Sequence, residues 1–438
     1  MNPYSNLHLG EKIYSIRTAM GLSQDNLAYA LNTTKMSVSR LERGETQCSE
    51  ATLVAIKKFL GIEKAPLLDH ELQIYRSRIQ VWQELIGVDR LDEARAMQSE
   101  MAVILNLPFE HDLYQLYLAT ECWLLNREYN FEDMAAKLSA LEEILDNSSA
   151  EVLNIYHRCK GFLCMVQGEH KNSHTHLTKA LAYAEACMKT DVAALFTLGQ
   201  LYYTLGKIYQ AIICFELVRA QSNDSLVHRR GMWLYQKLAG CYCVVRDYSK
   251  AEALFNAALA KARALNDEET IGDVLSNMGT LYVLMGQIDK GMAIIEQGLE
   301  YIASNTGMHV HTLLNKVDCL ISINEHDKCR EVLEHIKAML DQGLQCDLSF
   351  MQGRAEFDTF IELAEHQLNL DDINSVKYIQ DVAIPNFRAS GSTLHTAILL
   401  CERLEAYYIK KRTKTKANAI AAVARDIYRE MYEGEINF

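Results

Sequence analysis

Proline is nearly absent from this chain. Only Pro3, Pro66, Pro108 and Pro385 occur in 438 residues, so long stretches escape the residue that most disrupts a helix interior. Runs of β-branched and aromatic residues bounded by turn clusters are also few, which argues against a sheet-based enzyme fold. No apolar run reaches the ~18 residues needed to cross a bilayer. The opening MNPYSNLHLGEK lacks the charged head and apolar core of a secretory signal. A cytoplasmic protein without a membrane partner is the expectation.

Catalytic signatures are missing too. Gly199 to Lys207 ends in Gly-Lys, but its spacing is not that of a phosphate-binding loop, and Ile208 follows where Ser or Thr belongs. His174-Thr-His176 and His309-Val-His311 would set imidazoles on opposite sides of a helix, so they read as surface histidines rather than metal ligands. Cys241-Tyr-Cys243 and Cys159-x4-Cys164 lack zinc spacing and partner pairs. No catalytic residue, metal or cofactor is expected. Twelve cysteines spread over so long a chain read as reduced, mostly buried small hydrophobes.

What remains is rich in Ala, Leu, Glu and Lys, the residues of helices, and long enough for two or more domains. The formal charge of −13 is uneven. Residues 1–62 hold seven Lys/Arg against five Asp/Glu, a net of +2, and the rest carries −15. A basic module on an acidic body implies that only the first domain approaches nucleic acid.

That module divides into short helices punctuated by turn residues. Leu9, Ile13, Ile16 and Met20 line one face of a first helix that stops at Gly21. Ser23 caps a second, Gln24 to Leu31, with Asn26 in place of the Glu of a capping box. Thr34 caps a third, Lys35 to Glu42, ending at Gly44. Ser49 or Glu50 opens a fourth, closed by Gly61, and Pro66 marks a linker.

Beyond it the chain repeats. Leu198-Gly199-x2-Tyr202 with Ala211 and Phe215, Leu238-Ala239-x2-Tyr242 with Ala251 and Phe255, and Met278-Gly279-x2-Tyr282 with Gly291 and Ile295 align without gaps, 40 residues apart. This is the small–aromatic–small–large spacing of the tetratricopeptide repeat, a helix–turn–helix unit of ~34 residues; the extra length implies longer helices. Gly206 and Gly286 fall at the inter-helix turn. Weaker copies flank the block at Gly161, Cys164, Ser173 and Leu177, and at Val317, Leu320, Cys329 and Leu333. Trp82 with Ala94, Trp123 with Ala136, and Val376 to Ala383 are further degenerate units, about eight or nine pairs in all. The fold expected is all-α: a DNA-binding domain over 1–65 and a right-handed helical solenoid with a concave groove over 66–438. Tyr202, Tyr242 and Tyr282 are assigned to its core. The cluster Lys410, Lys411, Arg412, Lys414 and Lys416 reads as a solvated turn.

Residues 22–44, LSQDNLAYALNTTKMSVSRLERG, resemble the Cro/repressor-type helix-turn-helix through Leu22-Ser23-Gln24, Leu27-Ala28, Leu31 and Ser39-Arg40-Leu41-Glu42-Arg43-Gly44. Asn32 stands where that family has Gly, and Asn tolerates the left-handed turn. The resemblance implies phosphate contacts from Gln24, Thr34 and Arg43, and a major-groove face of Lys35, Met36, Ser37 and Arg40. It makes Arg17 and Glu42 an internal ion pair. A helix-turn-helix followed by tetratricopeptide repeats resembles the RRNPP group of intracellular receptors, which bind short signalling peptides. That resemblance implies a homodimer on a palindromic double-stranded DNA operator, gated by a peptide in the groove. It also leaves open a repeat domain that binds, sequesters or dephosphorylates a response regulator. Groove-facing offsets on the first helix of each repeat yield Gln200, Lys237, Asn277, Asn315 and Asp318, with Arg158 placed to meet a peptide carboxylate. Asparagine suits this role because its amide donates and accepts together.

Overall fold

Caps and left-handed turns, not long-range pairing, decide where helices begin and end in this chain. The computed structural model describes residues 8–63, 65, 67–105, 111–221, 229–343, 354–389 and 394–432, and every regular element among them is helical. The first four are α1 (Leu9–Ala19), α2 (Gln24–Ala30), α3 (Lys35–Glu42) and α4 (Glu50–Phe59). At α2, Asn26 N–H donates to Ser23 Oγ at 3.1 Å and Ser23 N–H donates to Asn26 Oδ1 at 2.8 Å, so Asn closes the capping box as Glu would. Asn32 takes φ +52° between α2 and α3, the turn expected of it. Ile13, Ile16, Leu27, Val38, Leu53, Ile56 and Leu60 form the core of the four-helix module. α1 and α3 cross backbone to backbone, since a Cβ on Gly10 would lie 2.1 Å from the carbonyl oxygen of Leu41.

The expected linker is packed rather than free. Pro66 lies outside the described residues, but Ile62, Ala65 and Leu67 beside it are buried in the same core. Lys57 Nζ on α4 pairs with Glu71 Oε1 at 2.7 Å, at the start of α5 (Asp69–Gly87). Glu71 Oε2 in turn accepts from the backbone N–H groups of Leu67 (2.9 Å) and Leu68 (3.0 Å). One carboxylate therefore ties the chain leaving the module to the helix that follows.

From α5 onward the helices pair. α6 (Leu91–Leu105), α7 (His111–Arg127), α8 (Phe131–Glu142), α9 (Ala150–Val166) and α10 (His170–Ala186) complete three pairs. The next three are α11 (Val192–Thr204) with α12 (Ile208–Gln221), α13 (Arg229–Val244) with α14 (Tyr248–Ala264), and α15 (Glu268–Leu284) with α16 (Ile288–Leu299). α17 (Gly307–Ser322) pairs with α18 (His326–Gln342), and α19 (Arg354–Gln367) is followed by α20 (Ile373–Tyr378) and α21 (Ile384–Ala389) as one irregular partner. α22 (Leu394–Lys410) and α23 (Lys414–Tyr432) end the series, nine pairs among the described residues. A π-turn, Ile379–Ala383, joins α20 to α21. Its wider loop accommodates Pro385, which has no N–H to give and would clash with the carbonyl four residues back.

The small residues of the repeats act as expected. A Cβ on Gly199 would meet the Phe215 ring at 2.7 Å, and one on Gly161 would meet Leu177 at 2.8 Å. Gly206 and Gly286 turn between helices at φ +72° and +77°. Helices of 16 and 17 residues in α13, α14 and α15 account for the 40-residue period. Tyr242 and Tyr282 are buried and Tyr202 is half-buried. One register differs from expectation: Ala136 is exposed, and Met134 and Leu138 carry the burial of α8. The eleven cysteines among the described residues are free thiols, most of them buried. The Lys410–Lys416 cluster lies on an exposed turn with Arg412 at φ +57°.

Two compact units result, Met1–Asp191 and Val192–Phe438. Within each, the first helices of successive pairs touch one another, α5–α7–α9 in one and α11–α13–α15–α17–α19 in the other. The first helices therefore line the inner side of the curve. In the second unit the last pair also returns to the first: α23 packs against α12, and Lys207 Nζ donates to the carbonyl of Glu430 at 3.3 Å.

Candidate functional site

Two surfaces collect the side chains singled out in the sequence. On the helix-turn-helix module, Arg17 and Glu42 form a buried fork, Nε to Oε1 at 2.6 Å and Nη2 to Oε2 at 3.1 Å. Gln24 Nε2 joins them, donating to Glu42 Oε2 at 2.8 Å, so one of its two amide hydrogens is spoken for before any phosphate arrives. Thr34 Oγ accepts from Ser37 N–H at 3.2 Å and opens α3. Met36, Ser37 and Arg40 are exposed along the helix. Lys35 is exposed and paired with Asp25 at 2.9 Å, and Arg43 with Glu45 at 3.2 Å. Exposed pairs of this kind are worth at most about 1 kcal/mol, so both cations can be drawn to a phosphate.

The second surface is the inner face of Val192–Phe438. Asn277 Nδ2 on α15 donates to Gln236 Oε1 on α13 at 3.1 Å and to Asp273 Oδ1 at 3.1 Å. Asn315 Nδ2 on α17 donates to Ser276 Oγ on α15 at 3.0 Å. Each asparagine thus reaches back one repeat, and together they stitch three first helices along one wall. Lys237 is exposed, its Nζ 5.9 Å from the centre of the Tyr203 ring. Burial pushes the Asp273 carboxyl up to about 6 against the opposing pull of Lys237. Gln200 is half-buried on α11 and Asp318 exposed on α17. Arg403 on α22 completes this wall, with donors on Gln367 Oε1 and, at 3.3 Å, on Ser322 Oγ.

Arg158 stands apart, in the other unit. It is buried, with Nη1 3.2 Å from Asp191 Oδ2 and its guanidinium carbon 4.2 Å from the centre of the Trp123 ring. Its charge is already met by a carboxylate of the same chain, so an incoming peptide carboxylate would have to displace Asp191. Nearby, the expectation of surface histidines is corrected. His176 is half-buried, and its Nδ1 lies 2.8 Å from Nδ1 of His157, whose ring stacks on Tyr183.

That imidazole pair carries a pH signature. Burial and the neighbouring His176 push His157 down to about 4, and burial lowers His176 as well. Lys179 opposes protonation of both rings and Glu142 favours it. The unfolded chain, with imidazoles near 6.5, takes protons first. Stability from this pair is complete above about pH 6.5 and is lost as pH falls towards 4, about 2 kcal/mol by pH 5 for His157. His157→Phe, which preserves the stack on Tyr183, should flatten the loss of thermal stability between pH 7 and 5. An unchanged slope would mean that other groups set it.

Comparison with known proteins decides the architecture. Residues 13–67 match the helix-turn-helix family model and residues 192–218 the tetratricopeptide repeat. No curated protein is similar to this chain in sequence at a significant level. Among solved structures, a Rap protein complexed with competence and sporulation factor superimposes at a TM-score of 0.64 with 16% identity, covering 82% of this chain and 99% of that one. The apo quorum sensor NprR from B. thuringiensis gives 0.62 and 14% (81% and 99% covered), and NprR with its cognate peptide NprX gives 0.58 and 16% (81% and 99%). The chain joins a helix-turn-helix domain to tetratricopeptide repeats, and its fold is similar to that of the Rap and NprR structures. At these identities the likeness shows the fold alone.

Sequence reasoning missed Gln236, Asp273, Ser276 and Arg403. Asp273 lies one turn before Asn277 and was within reach of the repeat register. Arg403 was not, because α17 and α19 begin 47 residues apart and the 40-residue register breaks between them.

Proposed function

We propose that this chain is a dimeric, DNA-binding transcription regulator whose reading domain (1–65) is switched by a short signalling peptide held on the inner face of its repeat domain (66–438). One observation carries the reading: an exposed recognition helix and a wall of side-chain amides occur on the same chain. Arg40 offers guanine O6 and N7 a bidentate fork, and Met36 can pack on a thymine methyl. Asn277, Asn315, Gln200, Lys237 and Asp318 face an extended ligand that presents a backbone amide every ~3.3 Å. Two modules are needed because a single one buries too little surface to select an operator, and two-fold symmetry makes that operator palindromic. A peptide acts as a switch only if it binds one shape of the repeat domain better than another.

The DNA half is tested by Arg40→Ala, which should cost about 1–3 kcal/mol on the selected operator and much less on random DNA. Equal losses on both would reduce Arg40 to a phosphate contact. Operator affinity should also fall steeply with salt, because neutralised phosphates release counterions.

For the peptide half, short synthetic peptides are screened by calorimetry and the tightest binder is compared with the Asn277→Ala/Asn315→Ala variant. Both Nδ2 groups already have acceptors in the free protein, so a peptide carbonyl replaces a bond rather than adding one. The loss per residue therefore falls at the low end of the ~1–3 kcal/mol expected for an unpaired group, about tenfold each. Unchanged affinity with an intact thermal transition would place the ligand elsewhere. Phosphate release from phosphorylated response regulators, with no operator found, would favour the alternative activity.

A further inference from the structure

The paired helices begin with one whose far side is left open. α5 turns Ile79, Trp82 and Ile86 into the core that it shares with α7. Ile74, Val81 and Val88, seven residues apart, stay 57%, 46% and 41% exposed on its other side. With Ser77 and Glu84 between them, they make the alternating three- and four-residue spacing of a helix-pairing seam, β-branched at every seventh position. Ile74 and Val81 also line an open groove with Met97 of α6. A repeat array stays soluble alone when its terminal repeat turns a polar face outward, and this face is apolar at three of its five positions.

The same stripe names its partner. Two copies of α5 side by side in parallel would set Glu84 against Glu84 of the second copy, a like-charge contact. Antiparallel and centred on Val81, the stripe is its own complement: Val81 meets Val81, Ile74 lies level with Val88, and Arg78 lies level with Glu84. The Glu84 carboxylate is exposed and has no partner among the described residues. Arg78 holds Glu100 at 2.6 Å in a pair that is itself exposed, and its five donors can serve a second carboxylate. The starts of the two helices, each twelve residues from Val81, would stand about 36 Å apart at ~1.5 Å per residue. DNA half-sites one turn apart need ~34–36 Å, and Glu71 ties the helix-turn-helix module to that start.

We propose that a second copy of this chain docks here, α5 on α5, antiparallel about Val81. The proposal rests on the dimeric reading above and gives that dimer its interface. One helix pair buries less than the ~1,600 Å² of a standard interface. The contact therefore assembles weakly, and an operator that holds both modules completes it.

The test needs neither DNA nor peptide. With the full chain at tens of micromolar, Val81→Cys should form an intermolecular disulfide under mild oxidation, because a residue on a two-fold axis meets its own copy. Gln80→Cys is exposed too but points about 100° away around the helix, and it should cross-link about tenfold more slowly. The unsubstituted chain gives the background from its own cysteines, and mass spectrometry maps the bond to position 81. Sedimentation velocity reads the same contact without a disulfide. Glu84→Arg should weaken the dimer about tenfold, since the two-fold sets like charges level at two places, and adding Arg78→Glu should restore it. Equal cross-linking at positions 80 and 81, or a dimer indifferent to Glu84→Arg, would overturn the interface. So would a chain that stays monomeric at every concentration and forms no disulfide at position 81. Two copies found on one operator in any of these cases would leave the dimeric reading standing, so the interface and that reading can fail separately.

Discussion

Glu42→Ala should abolish operator binding while the repeat pairs stay folded. The Glu42 carboxylate accepts from Arg17 Nε and Nη2 and from Gln24 Nε2, with Arg17 and Glu42 side chains only 5% and 3% exposed. Removing it strands a guanidinium in a small core built around Ile13, Ile16 and Leu27. Breaking one partner of a buried pair costs about 3–5 kcal/mol, a large share of what a module of some sixty residues possesses. Hydrogen exchange resolves the outcome: amides of α1 to α3 should lose protection while those of α13 to α15 retain it. Native protection in α1 to α3 with native operator affinity would show that the pair is dispensable.

Gly291→Ala should destabilise the second unit although alanine is the better helix former. α15 and α16 meet on two glycines each, Gly272 and Gly279 against Gly291 and Gly298. Seven residues is close to two turns, so each pair shares one face. A Cβ on Gly291 would sit 2.7 Å from the Gly279 carbonyl oxygen and 2.7 Å from Val283 Cγ2. A backbone carbonyl inside a helix cannot step aside, so the helices must part. Overpacking costs about 1–3 kcal/mol and propensity returns up to ~1; the steric cost wins, and the shift is passed to Asp273 and Asn277 on α15. Gly240→Ala supplies the control of opposite sign, since its Cβ would meet only the Tyr203 hydroxyl, at 3.8 Å. Thermal unfolding should therefore fall for Gly291→Ala and hold or rise for Gly240→Ala. The same direction for both would refute close helix approach as the cause.

Local signals in the sequence carried as far as local physics decides the structure. The Ser23–Asn26 box, the left-handed Asn32 and the glycines at helix turns were readable because each is fixed by its own backbone and side chain. The repeat pattern placed Asn277 and Asn315 two residues before Gly279 and Val317, and these matching positions fall on neighbouring first helices. The register slipped at Ala136, where Met134 and Leu138 fill the gap that a small residue leaves elsewhere. The packing of Ala65 and Leu67 was hidden because Pro66 signals a break in regular structure, not whether the broken segment is buried. His157 with His176, Arg158 with Asp191, and Arg246 with Glu402 were illegible for one shared reason. Each joins segments apart in the chain, and sequence spacing says nothing of which side chains meet across a gap.

The carboxylate of Glu71 has a mechanical consequence. By joining Lys57 to the backbone of Leu67 and Leu68, it converts the entry to α5 from a tether into a lever arm. α5 has 19 residues, roughly 28 Å at 1.5 Å per residue. A tilt of about 10° at its far end would carry the near end through roughly 5 Å, more than the ~3.4 Å between successive base pairs. With a slack linker such a tilt would be absorbed before it reached α3. With a clamped one, a small rotation among distant helices would reach α3 and, under the proposed reading of DNA, change its step along the groove.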